Sequence, residues 1–366
     1  MTQSRRQSIL MVARGLDPVG TGRQVELAAE AFRAAGHDIR IAITTGGGSS
    51  PERLASRGFA VHCLSRRPRL ATLAGWQLAR LARDTRPDAI LTWGRGQAMV
   101  AALFRRLFPG ARLVCHVGVA PRRRIDGWAL RAADRVVTPT PAVASACGRA
   151  GVLATDIDIV APGIEPVAGT GMSRAQLAAR LGLREDSVWT LCVAPLEPAA
   201  HIERLLWAID QLGVVNRGLE HVLVGAGPLL ARIRRRARLQ DFAERLFVFP
   251  GLECLPDLLQ RVRLVWQPGD VACGGCLLDG MAHGVAAVAV ESDAAGQLIS
   301  DGTCGRIVAA DPISDFPRRA LGIIEDDLLA ARYGSAARTR AVEEFPVARS
   351  TAALLAAVER AVAGKP

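Results

Sequence analysis

Short apolar runs alternate with amphipathic stretches along most of this chain, and their order predicts parallel β-sheets. Residues 8–12 (SILMV) are apolar after the first serine, as is typical of a buried strand, and residues 25–35 carry apolar side chains at helical spacing. A loop at residues 14–24, which contains Gly20 and Gly22, joins the two, and a further strand follows the helix. Because a helix returns the chain to the same end of a sheet, strands joined in this way lie parallel.

The alternation continues to about residue 160 and predicts one doubly wound α/β domain. Residues 161–173 then interrupt it, and their proline and glycine content without hydrophobic periodicity favours a linker. Beyond them the alternation resumes and ends in a helical tail. A chain of 366 residues is too long for one ordinary core. We therefore expect an N-terminal domain at residues 1–165, a C-terminal domain at residues 166–345, and a final helix at residues 346–366 that packs back towards the N-terminal domain.

The strongest ligand-binding pattern lies late in the second domain. An apolar strand at residues 264–266 is followed by a glycine-rich turn at residues 272–275 and a short helix at residues 277–283. The first N–H groups of a helix have no partner within it, so this arrangement presents backbone N–H groups to an anion. The pattern predicts a site for a phosphorylated ligand, with Gly274 and Gly275 as candidate contacts.

Charge and composition narrow the choice of partners. The net charge is +11, carried almost entirely by arginine, and a basic surface suits anionic lipids, phosphorylated substrates or nucleic acid. Aromatic residues make up only 4% of the chain and Tyr333 is its only tyrosine, so base-stacking platforms and a nucleic-acid partner are not expected. The apolar runs are shorter than the roughly 20 residues that cross a bilayer, and the first of them is too short for a signal peptide. We expect a cytoplasmic protein that can contact the inner face of an anionic membrane.

Most of the eight cysteines lie in apolar segments, where cysteine behaves as a small hydrophobic residue. Cys273 and Cys276 are an exception, because they form a CxxC pair before a helix, a spacing also found in redox and metal sites. No second CxxC or histidine pair lies nearby in the sequence, so we expect no metal. Two interpretations stay open: thiol chemistry, or two small residues that pack a loop.

Seven segments of the chain match, in order and spacing, the motifs of one known family: GTGRQVELAAEAFRAAGHDIRIA (20–42), RPDAILTWG (86–94), RAADRVVTPTPAV (131–143), VAPGIEP (160–166), HVLVGAGPL (221–229), DGMAHGVAAVAV (279–290) and GQLISDGTCGRIVAADP (296–312). They resemble segments of the family 4 glycosyltransferases. The resemblance implies a GT-B fold, an α/β architecture of two Rossmann-like domains that face a central cleft. It also implies transfer of a sugar from a nucleotide-sugar donor to a glycan or lipid-linked acceptor, with retention and without a metal or other cofactor.

The resemblance also assigns residues to the donor site. The family uses an arginine and a lysine on the departing diphosphate, where fixed positive charge stabilises the transition state. Pro195 and Ala200 occupy those two positions here, and Arg204, about one helical turn further on, is the candidate replacement. Of the family's two glutamates, the first is replaced by Val271 and the second, which holds the donor ribose, by Asp279. Asp279 in the first turn of a helix is also favoured by the helix dipole alone.

Three candidates lie in the N-terminal half. Gly20 and Gly22 lack a Cβ atom and so allow a diphosphate to approach the backbone closely, although a plain strand-to-helix turn explains them equally well. His116 ends a buried strand near the place where the family often has a histidine, and the resemblance implies a hydrogen bond to the donor sugar or the acceptor. The alternative for His116 is a core histidine with a structural partner.

Two hypotheses follow from these residues. The first is a retaining glycosyltransferase. The second is a catalytically inactive relative that binds a nucleotide, a glycan or a partner protein, and it is favoured by the uncharged residues Pro195, Ala200 and Val271.

Overall fold

The computed structural model of the protein describes residues 5–16, 19–44, 50–64, 71–108, 110–166 and 169–364. It divides into two compact units, one formed by Met1–Gly163 together with Val347–Pro366 and the other by Ile164–Pro346. The two residues 167–168 of the predicted linker lie outside the described residues. Each unit is built on its own parallel sheet with helices on both faces, so the prediction of two doubly wound α/β domains is confirmed.

The first unit has a parallel sheet, which in the described part of the chain has seven strands in the order β3-β2-β1-β4-β5-β6-β7. Its strands are β1 (Ser8–Ala13), β2 (Asp38–Ile43), β3 (Ala60–Cys63), β4 (Ala89–Trp93), β5 (Arg112–His116), β6 (Arg135–Thr138) and β7 (Ile157–Ile159). The helices between them are α1 (Gly20–Ala34), α2 (Ser50–Ser56), α3 (Ala71–Thr85), α4 (Arg95–Phe104), α5 (Arg124–Arg131) and α6 (Pro141–Arg149).

Apolar layers cover both faces of this sheet because successive side chains of a strand point to opposite sides. In β1, Ile9 and Met11 belong to the layer that packs on α1, whereas Leu10 and Val12 belong to the layer that packs on α3 and α4. Helix α1 contributes Phe32, which is fully buried. The strands are therefore apolar on both faces, which is the pattern of a covered parallel sheet.

The second unit has a parallel sheet with six described strands in the order β10-β9-β8-β11-β12-β13. Its strands are β8 (Val188–Val193), β9 (Leu219–Val224), β10 (Leu246–Phe249), β11 (Leu264–Gln267), β12 (Ala286–Val290) and β13 (Arg306–Val308). Its helices are α7 (Arg174–Leu181), α8 (Ile202–Val215), α9 (Leu230–Leu239), α10 (Leu255–Leu259), α11 (Leu277–Ala282), α12 (Asp293–Leu298), α13 (Asp315–Ile324) and α14 (Asp327–Glu344).

The last helix, α15 (Val347–Ala363), belongs to the first unit. Its buried face, which includes Leu354 and Val358, shares a core layer with α1. The amide of Gln24 in α1 makes two hydrogen bonds with the backbone of Gly163, since its Nε2 donates to the carbonyl oxygen at 2.7 Å and its Oε1 accepts the N–H at 3.0 Å. These two hydrogen bonds hold Gly163, where the first segment of this unit ends, against α1.

Two sequence-based expectations differ from the structure. Helix α1 begins at Gly20 rather than at residue 25, so Gly20 and Gly22 lie in its first turn and not in a loop. Glycine has a low helix propensity, so a start placed at the first apolar residue comes too late. Here the helix begins in a buried turn at Gly20, whose own φ is positive. The segment α12–β13–α13 had no clear periodic pattern and was not predicted.

Candidate functional site

Ligands of doubly wound sheets bind at the carboxyl ends of the strands. In the first unit, Trp93 and His116 lie at this edge, because β4 and β5 pair in parallel with Trp93 opposite His116. Their ring centroids are 4.2 Å apart and the planes are tilted by 32°. Both side chains are buried. The predicted residue His116 therefore lies against an aromatic ring that the sequence analysis had not singled out.

Trp93 also carries an unusual polar atom. Its indole Nε1 is buried and has no hydrogen-bond partner among the described residues. Most buried N–H groups in proteins are paired, and an unpaired one costs about 1–3 kcal/mol. The sequence signal for Trp93 was an aromatic residue directly before Gly94 at the end of a predicted strand. Its significance depends on the strand register, which the sequence does not show.

Burial determines the charge of His116. It lowers the pKa of the imidazole to about 4, because desolvation disfavours the charged form. At neutral pH His116 is therefore an uncharged imidazole that can donate or accept a hydrogen bond. It cannot supply the positive charge that a departing diphosphate requires.

Gly20 and Gly22 lie in the first turn of α1, and Gly20 has a positive φ of 58°. One turn further, the buried carboxylate of Glu26 contacts three arginines: Arg23 at 3.5 Å, Arg53 at 2.6 Å and Arg57 at 2.9 Å. Glu30 also contacts Arg57. Glu26 thus lies among three guanidinium groups. Positive charge near a helix N-terminus favours an anion there.

In the second unit, the predicted turn after β11 adopts a left-handed backbone. Cys273, Gly274 and Gly275 have φ values of 54°, 73° and 55°. The N–H of Gly274 donates to the carbonyl of Val271 at 3.0 Å, and the N–H of Gly275 donates to that of Ala272 at 3.2 Å. These two N–H groups are occupied within the turn, so in this conformation a ligand would meet the two glycines through other backbone atoms.

The turn also has little room for side chains. A Cβ atom on Gly274 would lie 2.3 Å from Cδ1 of Leu298, and one on Gly275 would lie 3.1 Å from the carbonyl oxygen of Val193. Positive φ and close packing together explain both glycines structurally. Their predicted contact with a donor remains a prediction.

Cys273 and Cys276 are buried free thiols. Burial raises the pKa of Cys276 to about 12, so it stays a neutral thiol at physiological pH and is a poor nucleophile and metal ligand. Across the described ranges, no group of three or more histidine, cysteine, aspartate or glutamate side chains is arranged to hold a metal ion. Of the two interpretations of the CxxC pair, the structure favours small residues that pack the turn.

Asp279 lies in the first turn of α11 and is only 5% exposed. Its carbonyl oxygen lies 2.8 Å from Nδ1 of His283. Helix α11 packs on α14, which holds this turn in place. Asp279 therefore lies in a largely buried turn, and its contact with a donor ribose remains a prediction.

Arg204 lies close to the loop that leads to the glycine turn. Its Nη1 donates to the carbonyl of Pro268 at 3.4 Å, and Pro268 directly follows β11. The neighbouring Gly269 packs on the segment after β8, since a Cβ atom there would lie 2.9 Å from the carbonyl oxygen of Ala200. Ala200 itself is buried and uncharged. The structure thus brings Arg204 to the loop after β11 but places no positive charge at Ala200.

His201 precedes α8 and was not among the predicted residues. It is exposed and has a φ of 51°, a left-handed conformation that costs a non-glycine residue roughly 1–2 kcal/mol. Its ring lies against Gly269, because a Cβ atom there would be 2.9 Å from its Cδ2. No sequence signal indicated this conformation.

Two protein-family models match the chain. Residues 18–167 match the model described as Glycosyltransferase Family 4, and residues 188–326 match the model described as Glycosyl transferases group 1. Together they span most of both units.

Individual proteins are also similar to the chain, one in part of its sequence and two in fold. The phosphatidyl-myo-inositol mannosyltransferase of Mycolicibacterium smegmatis is 31% identical over 155 residues, which is 39% of this chain and only 38% of the relative. The crystal structure of HepE from Anabaena in complex with UDP and glucose superposes with a TM-score of 0.78 at 17% identity and covers 96% of this chain and 99% of HepE. Sucrose-phosphate synthase from Thermosynechococcus elongatus gives a TM-score of 0.77 at 18% identity, over 98% of this chain and all of that chain. At these identities the two structures show a common fold, the GT-B fold.

Proposed function

Because the chain belongs to the family 4 glycosyltransferases, we propose that it transfers a sugar from a nucleotide-sugar donor to a glycan or lipid-linked acceptor with retention. The main support is that the family match extends over both units, the first with the Trp93–His116 pair and the second with the Arg204 segment. In this reaction the bond from the sugar C1 to the diphosphate breaks, the acceptor oxygen bonds to C1, and the proton of the acceptor hydroxyl leaves with the diphosphate.

On the donor side, we assign to Arg204 the positive charge that stabilises the departing diphosphate. It is the arginine that contacts the loop after β11, and it is only partly buried, so its remaining donors can reach a ligand. Gly274 and Gly275 shape the turn further along the same loop, and Asp279 holds the donor ribose. A guanidinium can replace the missing pair of cations only in part, so we expect slow turnover. No metal ion or other cofactor is expected to take part.

In the first unit, His116 makes a hydrogen bond to a hydroxyl of the donor sugar or the acceptor. Its neutral state at physiological pH suits this role, because a sugar hydroxyl both donates and accepts. Gly20 and Gly22 allow a diphosphate to approach the backbone in the first turn of α1 closely.

A second candidate function is binding without turnover. One observation favours it: the positions that carry two cations in the family are Pro195, which is exposed, and Ala200, which is buried. Loss of one stabilising donor typically lowers a rate on the order of 100- to 1000-fold. A protein in which Arg204 does not compensate would still bind a nucleotide.

Calorimetric titration with UDP and GDP, combined with an assay of nucleotide-sugar hydrolysis, distinguishes the two functions. UDP is the first nucleotide to test, because HepE was crystallised with it. Binding together with hydrolysis supports the transferase. Binding without hydrolysis or transfer supports an inactive relative that binds a nucleotide. Absence of binding to either nucleotide contradicts the transferase and leaves only a relative that binds a glycan or a partner protein.

A further inference from the structure

The exposed large apolar side chains of the first unit are concentrated on helices α3, α4 and α5, where α4 packs against both of the others. They are Leu73 (44% exposed), Trp76 (61%), Leu103 (61%), Ile125 (49%) and Trp128 (42%), and we call them the α3–α5 surface. Trp76 and Trp128 are the two exposed tryptophans of the described chain. Isolated exposed apolar residues are ordinary, but a concentration that includes both tryptophans indicates an interaction surface.

Helix α5 shows how this surface is built. Ile125 and Trp128 are three residues apart and so lie on the same side of the helix, while Gly127 and Leu130 are buried on the other side. The carboxylate of Asp126 accepts hydrogen bonds from backbone N–H groups before the helix, at 2.9 Å and 3.1 Å. The chain that leads into α5 is therefore held in place, with its side chains directed to solvent.

The charge around the α3–α5 surface is strongly positive. Exposed arginines on α3, on α5 and on the chain leading into α5 are Arg80, Arg83, Arg122, Arg123, Arg124 and Arg131. In the described part of residues 71–131, Asp84 is the only exposed carboxylate. Since α5 and the residues before it present four of these arginines, positive charge and exposed apolar area coincide there.

Tryptophan prefers the interface between water and lipid, and arginine pairs with lipid phosphates while its stem lies on apolar surface. A short surface helix with apolar residues outward and arginines at its ends suits an anionic bilayer better than a protein partner, since a protein would have to supply matching carboxylates for every arginine. We propose that the α3–α5 surface docks on an anionic lipid bilayer, with Ile125 and Trp128 at headgroup depth and Arg122, Arg123 and Arg124 on lipid phosphates. This inference rests on the proposed function, because a bilayer is where a lipid-linked acceptor would be met.

The test is flotation of the full chain with phosphatidylcholine vesicles, with and without phosphatidylglycerol, in the absence of any donor. Wild-type protein is expected to float only with the anionic vesicles and to be released by salt, since exposed charges are screened. Replacing Arg122, Arg123 and Arg124 by serine is expected to weaken binding roughly 100-fold. Ile125→Ser combined with Trp128→Ser is expected to abolish flotation.

The matched control removes three exposed arginines from α9 in the other unit by replacing Arg232, Arg234 and Arg235 with serine. If net charge alone attracted the vesicles, this control would weaken binding as much as the α5 arginine variant, and the proposal would be overturned. It would also be overturned if the Ile125→Ser/Trp128→Ser protein floated like wild type. Nucleotide-sugar hydrolysis, measured on the same variants without vesicles, should not change. A variant that loses flotation but keeps hydrolysis therefore shows that the substituted residues act in membrane docking. A wild-type protein that neither hydrolyses nucleotide-sugars nor binds a nucleotide contradicts the proposed function instead.

Discussion

Trp93 and His116 lie opposite each other at the ends of β4 and β5, with ring centroids 4.2 Å apart. The indole shields the imidazole from water, and this burial keeps the pKa of His116 at about 4. Trp93 is thus expected to position His116 and to keep it uncharged.

Replacing Trp93 by leucine should open the space beside His116 to water. The pKa of His116 is then expected to rise from about 4 towards the ordinary value of about 6.5, because the charged form becomes solvated. Titration of the histidine ring protons by NMR measures this shift. Trp93→Phe is the control, since it keeps an aromatic ring and should leave the pKa low. An unchanged pKa in the leucine variant would show that other groups bury His116.

The stability of the protein should fall in mild acid. Burial lowers the pKa of His116 to about 4 and that of His221 to about 3, whereas both are near 6.5 in the unfolded chain. Below about pH 6.5 the unfolded chain takes up protons that the folded chain does not, so the free energy of unfolding falls as the pH decreases towards about 4. Between about pH 6.5 and pH 4 each histidine contributes about 3 kcal/mol. Above about pH 6.5 neither adds a pH dependence.

Urea unfolding of wild-type protein and of the His116→Gln variant over this pH range measures the effect. The variant should show a shallower loss of stability between about pH 6.5 and pH 4, because one of the two titrating groups is gone. Equal slopes for the two proteins would mean that His116 takes up its proton in the folded state as easily as in the unfolded one.

Arg204→Ala should lower the rate of nucleotide-sugar hydrolysis on the order of 100- to 1000-fold, since it removes the positive charge assigned to the departing diphosphate. The effect should fall mainly on kcat, because that charge develops in the transition state. Arg204→Lys should restore part of the rate. Arg234 is an exposed arginine of α9, and Arg234→Ala is the control that should leave the rate of hydrolysis unchanged. If Arg204→Ala hydrolysed the donor at the wild-type rate, another residue would have to supply the positive charge beside the diphosphate.

Asp279→Asn tests the ribose contact. A hydrogen bond to a charged group is worth about 1.5–3 kcal/mol, so the affinity for the nucleotide should fall about 10- to 100-fold. Wild-type protein should also distinguish UDP from a deoxyribose analogue by calorimetry, and the variant should not. Loss of affinity without loss of this discrimination would place the effect in the packing of α11 instead.

Gly163→Ala should destabilise the first unit. A Cβ atom at this position would lie 2.7 Å from Cβ of Ser350 and 2.9 Å from Cα of Val347, so the start of α15 would have to move. We expect a loss of about 1–3 kcal/mol in the free energy of unfolding. Gly148→Ala in α6 is the matched control, because nothing lies within 4 Å of its added Cβ; it should be neutral or stabilising by about 0.5–1 kcal/mol. Thermal unfolding of both variants decides the comparison.

Much of the architecture could be predicted because it is encoded locally. Continuous apolar runs for strands and helical spacing for helices depend on neighbours a few positions apart, and they identified two doubly wound units. Ser173 caps α7, as its hydroxyl accepts the N–H of Gln176, and serine is a residue type that favours this position. The same local reasoning placed the start of α1 too late. Gly20 and Gly22 have low helix propensity, yet the helix begins at Gly20 in a buried turn.

Periodicity and backbone preference were enough to predict the order of most strands and helices and the position of the glycine turn after β11, but not the segment from α12 to α13. The contacts between side chains of distant residues depend on tertiary packing and could not be predicted from the sequence. The Trp93–His116 stack depends on the register of two strands, and the contact of Arg204 with Pro268 joins residues 64 positions apart. The low pKa of His116 and the internal hydrogen bonds of Gly274 and Gly275 likewise arise from burial and backbone geometry. Such properties depend on long-range packing, in which each residue's environment is set by distant parts of the chain.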